Sequence, residues 1–526
     1  MVFIGVDVGT GSARAGVFDE EGKLLGTANR PISMALTDAG YAEQSSTEIW
    51  RAVCDSVREA VLISAVAPQQ VAGIGFDATC SLVVQGADGG VGADPERDII
   101  VWSDHRATAQ SARINALGHS VLDYVGGRIS PEMQTPKLLW LKEHRPEVYA
   151  SAAQFFDLTD FLTWRASGAL ARSVCTVTCK WTYLAHEQRW DPTYFERIGL
   201  GDLVTEDFAR IGTQVVPPGT PLEQGLTAEA AQEMGLLPGV AVAAGLIDAH
   251  AGGVATVGAK GISKTAEETL AYVFGTSSCT MTSSRKPHRV PGVWGPYQGA
   301  MVPGLWLNEG GQSAAGAALD HLCASHPAYP EAQALAMANG QPIGAWLADH
   351  VMETEGSLSE RIQGLHVVPE YLGNRAPHAD PDRRAVISGL GLQTGLGSLE
   401  RLYVAGLCGL AYGLCQIIDA QAAEGLTVKA IALSGGAGSH PLSGRIIADV
   451  TGLPIEISDN PEPVLLGSAM LGSVAAGRQP DLGSAMSSMS GVAHCYAPDP
   501  SEHAAHRARY RAYTQLQELA LTLQGV

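Results

Sequence analysis

VFIGVDVGTGSARAGVFDEEGKLLGTANRPI (residues 2–32) reads as a strand, a glycine-rich turn, a second strand, a short acidic hairpin and a third strand. Apolar runs on either side of GTGS set the strands, and glycine lets the chain reverse tightly between them. Asp7 ends the first run and stands just before Gly9, Thr10, Gly11 and Ser12. Such a turn offers backbone N–H groups and two hydroxyls to whatever docks on it, which suits a phosphate. Arg14 falls on the same strand face as Ser12 and adds positive potential. An ordinary hairpin uses glycine as readily, so this stretch alone leaves both readings open. Its spacing is neither GxGxxG nor GxxxxGK[ST].

Later turns shift the balance. ETLAYVFGTSSCTMTSS (268–284) repeats strand, small polar turn and strand, with Gly275, Thr276 and Ser277 at the tip. LSGGAGSH (433–440) places Gly435, Gly436 and Ala437 after another apolar run. Three such turns favour a polyphosphate bound between two related α/β domains that face one cleft. With 526 residues the chain exceeds a single ordinary core. We place the domains at residues 1–255 and 256–526, the change falling near 250–262. Helical periodicity is expected from Ser46, over TPKLLWLKEHRPEVY and LTDFLTWRASG, over LGSLERLYVAGLCGLAYGLCQIIDAQ, and in the polar tail after Ser501.

Composition excludes several classes. Lys plus Arg number 34 against 54 Asp plus Glu, a formal net charge of −20. That field repels a phosphate backbone, so no nucleic-acid partner is expected. The N-terminus enters a buried-strand pattern without a secretory leader, and no segment reads as long and apolar enough to span a bilayer. The best candidate, around GVAVAAGLIDAHAGG, is broken by Asp248, His250 and glycines. A cytoplasmic protein with no membrane partner is the expectation. The 9 cysteines read as buried reduced thiols. Cys175 and Cys179 are the one close pair, with no second Cys/His pair nearby to complete a zinc set.

In chain order, the Asp7–Arg14 stretch, GLIDAHAGG, GTSS, SGLGLQTGLGSLERLYVAGLCGLAYGL, SGGAGSH and EPVLLGSAMLGSVAAG resemble the FGGY carbohydrate kinases of the actin-like ATPase superfamily. GFDATCSLVV, VWSDHRA and LNEGGQSAAG are similar to the ribulokinase group, D-ribulokinases especially. The resemblance implies an α/β fold of two actin-like (ribonuclease H-like) domains flanking a central cleft. It implies transfer of the ATP γ-phosphoryl group to the 5-hydroxyl of D-ribulose, with Mg2+. Asp248 would be the catalytic base and Asp7 would hold magnesium through water. Asp77, Thr79, Cys80, Asp104, His105, Lys180, Asp248 and Glu309 would meet the sugar. Thr10, Ser12 and Arg14 would contact phosphate, and Gly9 and Gly11 would shape that loop. Gly275, Thr276, Ser277, Gly311 and Ser313 would line the nucleotide side, and Gly435, Gly436 and Ala437 would pack against adenine and ribose. Two positions depart from the family pattern: Ala437 replaces a third glycine, and Arg445 replaces a glutamine.

The rival readings are a kinase for L-ribulose, ribitol or xylulose, a non-catalytic sugar or nucleotide sensor, and an ATP-driven filament protein. Asp7 and Asp248 weigh against the sensor and the sugar-side motifs against the filament. A homodimer is the default expectation, because closed two-fold oligomers are common.

Overall fold

The opening stretch folds as its pattern requires. In the computed structural model, which describes residues 1–524, β1 (Val2–Val8), β2 (Ser12–Phe18) and β3 (Leu24–Pro31) form an antiparallel meander. β4 (Val71–Ala78) lies parallel to β1 on its other side, in a register that sets Asp7 beside Asp77. Two short strands, β5 (Ala241–Val242) and β6 (Leu246–Ile247), complete the sheet along the far side of β4.

Helix α1 (Ser46–Ser64) connects the meander to β4 and packs on β2 and β3. It buries Ile49, Val53 and Val57, which recur at the spacing of one helical face. Its cap is Ser45, one residue earlier than expected, whose hydroxyl accepts the Glu48 N–H at 3.4 Å.

The second half repeats this plan. β7 (Thr269–Phe274), β8 (Ser278–Ser284) and β10 (Trp306–Gln312) form the antiparallel part, with β9 (Trp294–Gln298) on its edge. β11 (Ala430–Ser434) is parallel to β7, as β4 is to β1. β12 (Ile455–Ser458) and β13 (Val492–Tyr496) extend the sheet to seven strands.

Two helices tie the halves together. α4 (Asp248–Val257) runs through the expected division at 255 and 256 and packs on β7 and β11. α8 (Pro463–Ala475), from the second half of the chain, packs on β1, β4 and α4. The small residues of LLGSAMLGSVAAG let this helix approach the first sheet closely. A Cβ on Gly5 would sit 1.8 Å from the Leu465 carbonyl oxygen, and one on Gly75 would sit 2.0 Å from that of Ser468.

The longest apolar helix, α6 (Leu396–Ala423), corrects the expectation that no segment matches a bilayer span. By length and hydropathy it qualifies, yet most of it is buried in the protein, where it packs against α5 (Gly316–Ala324) and α7 (Pro441–Thr451). It is apolar nearly all round because it is a core helix.

Candidate active site

Asp7, Asp77 and Asp248 stand at the carboxyl ends of β1, β4 and β6, three neighbouring strands of one sheet. An apolar strand that ends at the cleft delivers its next polar residue there, and sheet order makes the three neighbours. Asp77 is fully buried: Ser468 on α8 donates to its Oδ2 at 2.6 Å, and its Oδ1 has no partner. Burial, then the charge of Asp7, pushes the Asp77 carboxyl well above the ordinary carboxylate range.

Asp248 opens α4 and takes the Ala249 N–H at 2.7 Å on Oδ1. Burial and Asp7 together push its carboxyl up to about 6. Converging carboxylates with a buried, unpartnered oxygen fit a divalent cation, which would lower the free energy of the charged forms.

Arg14 faces Asp7 across the β1–β2 register and donates through Nε to Asp7 Oδ2 at 2.9 Å. Its Nη1 donates to Glu462 Oε2 at 2.8 Å, just ahead of α8. The guanidinium therefore holds the aspartate and bridges to α8. The Gly9 N–H bonds the Ser12 carbonyl at 3.0 Å and closes the turn through Thr10 and exposed Gly11. Thr10 Oγ1 accepts the Trp102 indole N–H at 3.0 Å, which links the phosphate-type loop to the next pocket.

In that pocket Thr79 bonds Ser81, and Cys80 is buried with its carbonyl accepting the Gln134 amide. Lys180 ends α3 (Val174–Trp181), buried, with Nζ 4.0 Å from Glu309 Oε1 and over the Trp294 ring at 4.6 Å. Burial raises the Glu309 carboxyl, but Lys180 and then His250 draw it down to about 2. His250 Nε2 lies 3.3 Å from Glu309 Oε2, and its Nδ1 lies 3.0 Å from Cys175 Sγ. Burial lowers the His250 pKa, but Cys175 and Glu309 outweigh it and push it up to about 10. His250 thus sits between two acidic partners, two residues along the helix from Asp248.

The sequence had offered no zinc set around Cys175 and Cys179. Folding brings a sulfur of Cys179, a nitrogen of His250 and an oxygen of Glu309 within 4.8 Å of one another. Lys180 already supplies a cation to Glu309, and both His250 nitrogens have partners. We read the cluster as an ion-pair chain.

Other residues named from the sequence are placed differently. Asp104 is buried and its carboxylate takes the Ala42 N–H at 2.6 Å and the Arg106 side chain at 2.8 and 2.9 Å. Its hydrogen-bonding capacity goes to fixing the loop. His105 is exposed and meets Glu132 at 3.3 Å. Gly311 lies inside β10 with a φ of 152°, where a Cβ would strike the Ser278 carbonyl oxygen at 2.0 Å. Half-buried Ser313 follows that strand.

Gly275, Thr276 and Ser277 form the β7–β8 turn, whose carbonyls take N–H groups of Ala315, Gly316 and Ala317 at 2.9 to 3.1 Å. Gly435 adopts a φ of 92°, and the Ala437 N–H reaches the Phe274 carbonyl at 3.0 Å. Gly436 has open space around it, whereas Ala437 stays outside the left-handed region, so its methyl is accommodated. Arg445 is exposed on α7. Sequence reading missed His250, Glu132, Trp294 and Arg375; Arg375 in GNRAPHAD is an arginine inside a turn-rich loop, the one legible signal among them.

Family models cover most of both sheets. Residues 2–255 match the N-terminal domain of the FGGY family of carbohydrate kinases, and residues 270–476 match its C-terminal domain. The chain belongs to this family. It is accordingly a carbohydrate kinase, a phosphotransferase that acts on a sugar with ATP. It is 44% identical over 531 residues to an FGGY carbohydrate kinase domain-containing protein of Homo sapiens, covering 98% of this chain and 96% of that one. It is 39% identical over 513 residues to a D-ribulokinase of Saccharomyces cerevisiae, covering 90% of this chain and 72% of that one. Its fold is similar to that of a xylulose kinase from Rhodospirillum rubrum, with a TM-score of 0.80 at 22% identity over 99% of each chain. FGGY kinases generally use ATP and Mg2+.

Proposed function

We propose that the protein transfers the γ-phosphoryl group of Mg-ATP to the terminal 5-hydroxyl of D-ribulose, giving D-ribulose 5-phosphate. The observation that carries this is Asp248, a half-buried carboxylate at the cleft end of β6, within a chain 39% identical to a D-ribulokinase. Asp248 orients the attacking hydroxyl and takes its proton as the oxygen–phosphorus bond forms and the bond to the ADP oxygen breaks. A carboxylate suffices for this proton because the alcohol acidifies as that bond develops; positioning and charge neutralisation supply most of the rest.

Asp7, with Asp77 and Asp248 beside it, is the group to hold magnesium, mainly through water, and the ion supplies charge neutralisation at the transferred phosphate. The Gly9–Ser12 and Gly275–Ser277 turns offer N–H and hydroxyl donors to phosphate oxygens. Lys180 and Glu309 offer a donor and an acceptor to sugar hydroxyls, and each buried hydroxyl needs both kinds. Thr79 and Cys80 border the same space, and Trp102 gives it a flat wall. Closure of the two halves excludes water, which otherwise takes the phosphoryl group.

The test is ADP release from Mg-ATP against D-ribulose, L-ribulose, D-xylulose, L-xylulose, ribitol and D-arabinitol, with a sugar-free blank. D-ribulose is expected to give the highest kcat/KM, and Asp248→Asn to lower the signal about 1000-fold. Preference for another sugar overturns the substrate assignment.

A further inference from the structure

Arg375 is a half-buried residue whose guanidinium stands near Trp102 of the first half and Trp294 of the second. Among the described residues it forms no ion pair and no hydrogen bond, whereas Lys180 and Arg14 each have a carboxylate partner and Lys137 donates to the Val101 and Trp102 carbonyls. It lies 5.7 Å from the Trp294 ring centroid and 6.0 Å from that of Trp102, at the outer reach of cation–π attraction.

The segment that carries it is fixed. Asn374 and Asp380 exchange backbone hydrogen bonds at 2.8 Å each, the Asn374 side chain takes the His378 N–H at 3.0 Å, and Glu370 accepts the Gln517 amide at 2.8 Å. A cation held by a braced loop and left without a carboxylate partner is available to a ligand.

Its surroundings identify that ligand's chemistry. Lys180 Nζ and Arg375 lie over the same Trp294 ring, so Arg375 borders the sugar pocket. The carboxylates that act on it most strongly are Glu132 and Glu309, and the strand-end aspartates are not among its leading partners. Glu132 spends one oxygen on His105 and keeps acceptor capacity on the other. A donor-only guanidinium beside an acceptor-only carboxylate complements a carbonyl next to a hydroxyl. The carbonyl oxygen accepts from the arginine fork and the hydroxyl donates to the carboxylate.

We propose that Arg375, with Glu132, reads the α-hydroxyketone end of the sugar and so sets the preference for ketoses over the corresponding pentitols. A pentitol places a hydroxyl where the ketose has its carbonyl; the proton of that hydroxyl finds no acceptor in the guanidinium, and in this arrangement Glu132 is already engaged by His105 and by the neighbouring sugar hydroxyl. This rests on the pentulose kinase reading above.

The experiment compares wild type with Arg375→Gln and Arg375→Lys, by kcat and KM for D-ribulose and ribitol and by tryptophan quenching on titration with D-ribulose in the absence of ATP. Glutamine supplies an acceptor as well as donors. In R375Q, kcat/KM for D-ribulose should fall on the order of 10- to 100-fold, chiefly through KM and with matching loss of binding. Ribitol should change less than about threefold, which collapses the preference. R375K should recover part of the loss, and because Arg375 satisfies no protein group, melting temperatures should stay within about 2 °C of wild type. Equal losses on both sugars, a loss confined to kcat, or an unchanged preference would each overturn the assignment. A wild type that ignores D-ribulose overturns the substrate reading and this inference with it, a result distinct from a D-ribulose kinase whose R375Q variant keeps its selectivity.

Discussion

On the proposal that Asp248 is the base, this residue sets the pH behaviour of the site. Its carboxyl is pushed up to about 6 by burial and by Asp7, so the basic form is lost as pH falls through that value. With Mg-ATP bound the cation lowers that value, so kcat/KM for the preferred sugar should be flat at neutral pH and drop about tenfold per pH unit below a pKa at or under about 6. Asp248→Asn should remove this limb and cut kcat about 1000-fold. Stability carries the opposite sign. A carboxyl whose folded pKa exceeds its unfolded value stabilises the fold below the unfolded pKa and loses that contribution as pH rises through the folded one. D248N should therefore melt above wild type at pH 8, by roughly 2–3 kcal/mol of stability, and the gap should close by pH 4. Melts at both pH values check this, and a gap that does not narrow at low pH rejects it. That Asp7 and Asp248 end strands is legible in sequence, because each follows an apolar run. That Asp77 lies between them, or that His250 joins Cys175 to Glu309, depends on strand order and helix packing, and short-range pattern carries neither. Arg375 stands in a turn-rich stretch that the sequence shows, but its significance, the lack of a partner in three dimensions, does not appear there.

At the scale of elements, the small-residue helix α8 is the piece whose role the sequence understated. Its glycines and alanines read as permission for close packing, and the structure shows against what: the backbones of β1 and β4. Gly75→Ala would put a methyl 2.0 Å from the Ser468 carbonyl oxygen, backbone against backbone, with no flexible side chain to yield. The substitution should cost roughly 2–4 kcal/mol in urea denaturation. It should also lower activity, since Ser468 donates to Asp77. Gly397→Ala is the contrast, because its Cβ would meet nothing within 4 Å and its φ is ordinary for any residue. In the first turn of α6 it should be neutral or stabilise by up to about 1 kcal/mol. Equal destabilisation by both would show that the close approach of α8 to β4 is not what governs Gly75. The meanders, α1 and α6 were all foreseen as elements from periodicity and turn residues. The burial of α6 was not, because apolar length alone does not distinguish a core helix from a membrane span.

For the whole molecule, the repeated plan of two sheets was visible in the paired strand–turn–strand patterns, but their interlocking was not. Residues 463–475 of the second half pack on the first sheet, and α4, continuous from β6, packs on the second. Arg14 adds an ion pair between β2 and Glu462. Neither half therefore keeps its full core when the other unfolds: losing the second half uncovers β1 and β4, where Gly5 and Gly75 have no side chains of their own to shield the sheet. Two independent domains would give two heat-absorption transitions, each responding to its own ligand. The interleaved arrangement predicts one transition, with calorimetric and van't Hoff enthalpies agreeing, and a midpoint that rises further with Mg-ADP and sugar together than with either alone. Differential scanning calorimetry decides between these. Two resolved peaks, one moved by sugar and the other by nucleotide, would mean that α4 and α8 contribute little to cohesion and that the cleft is a hinge between autonomous units.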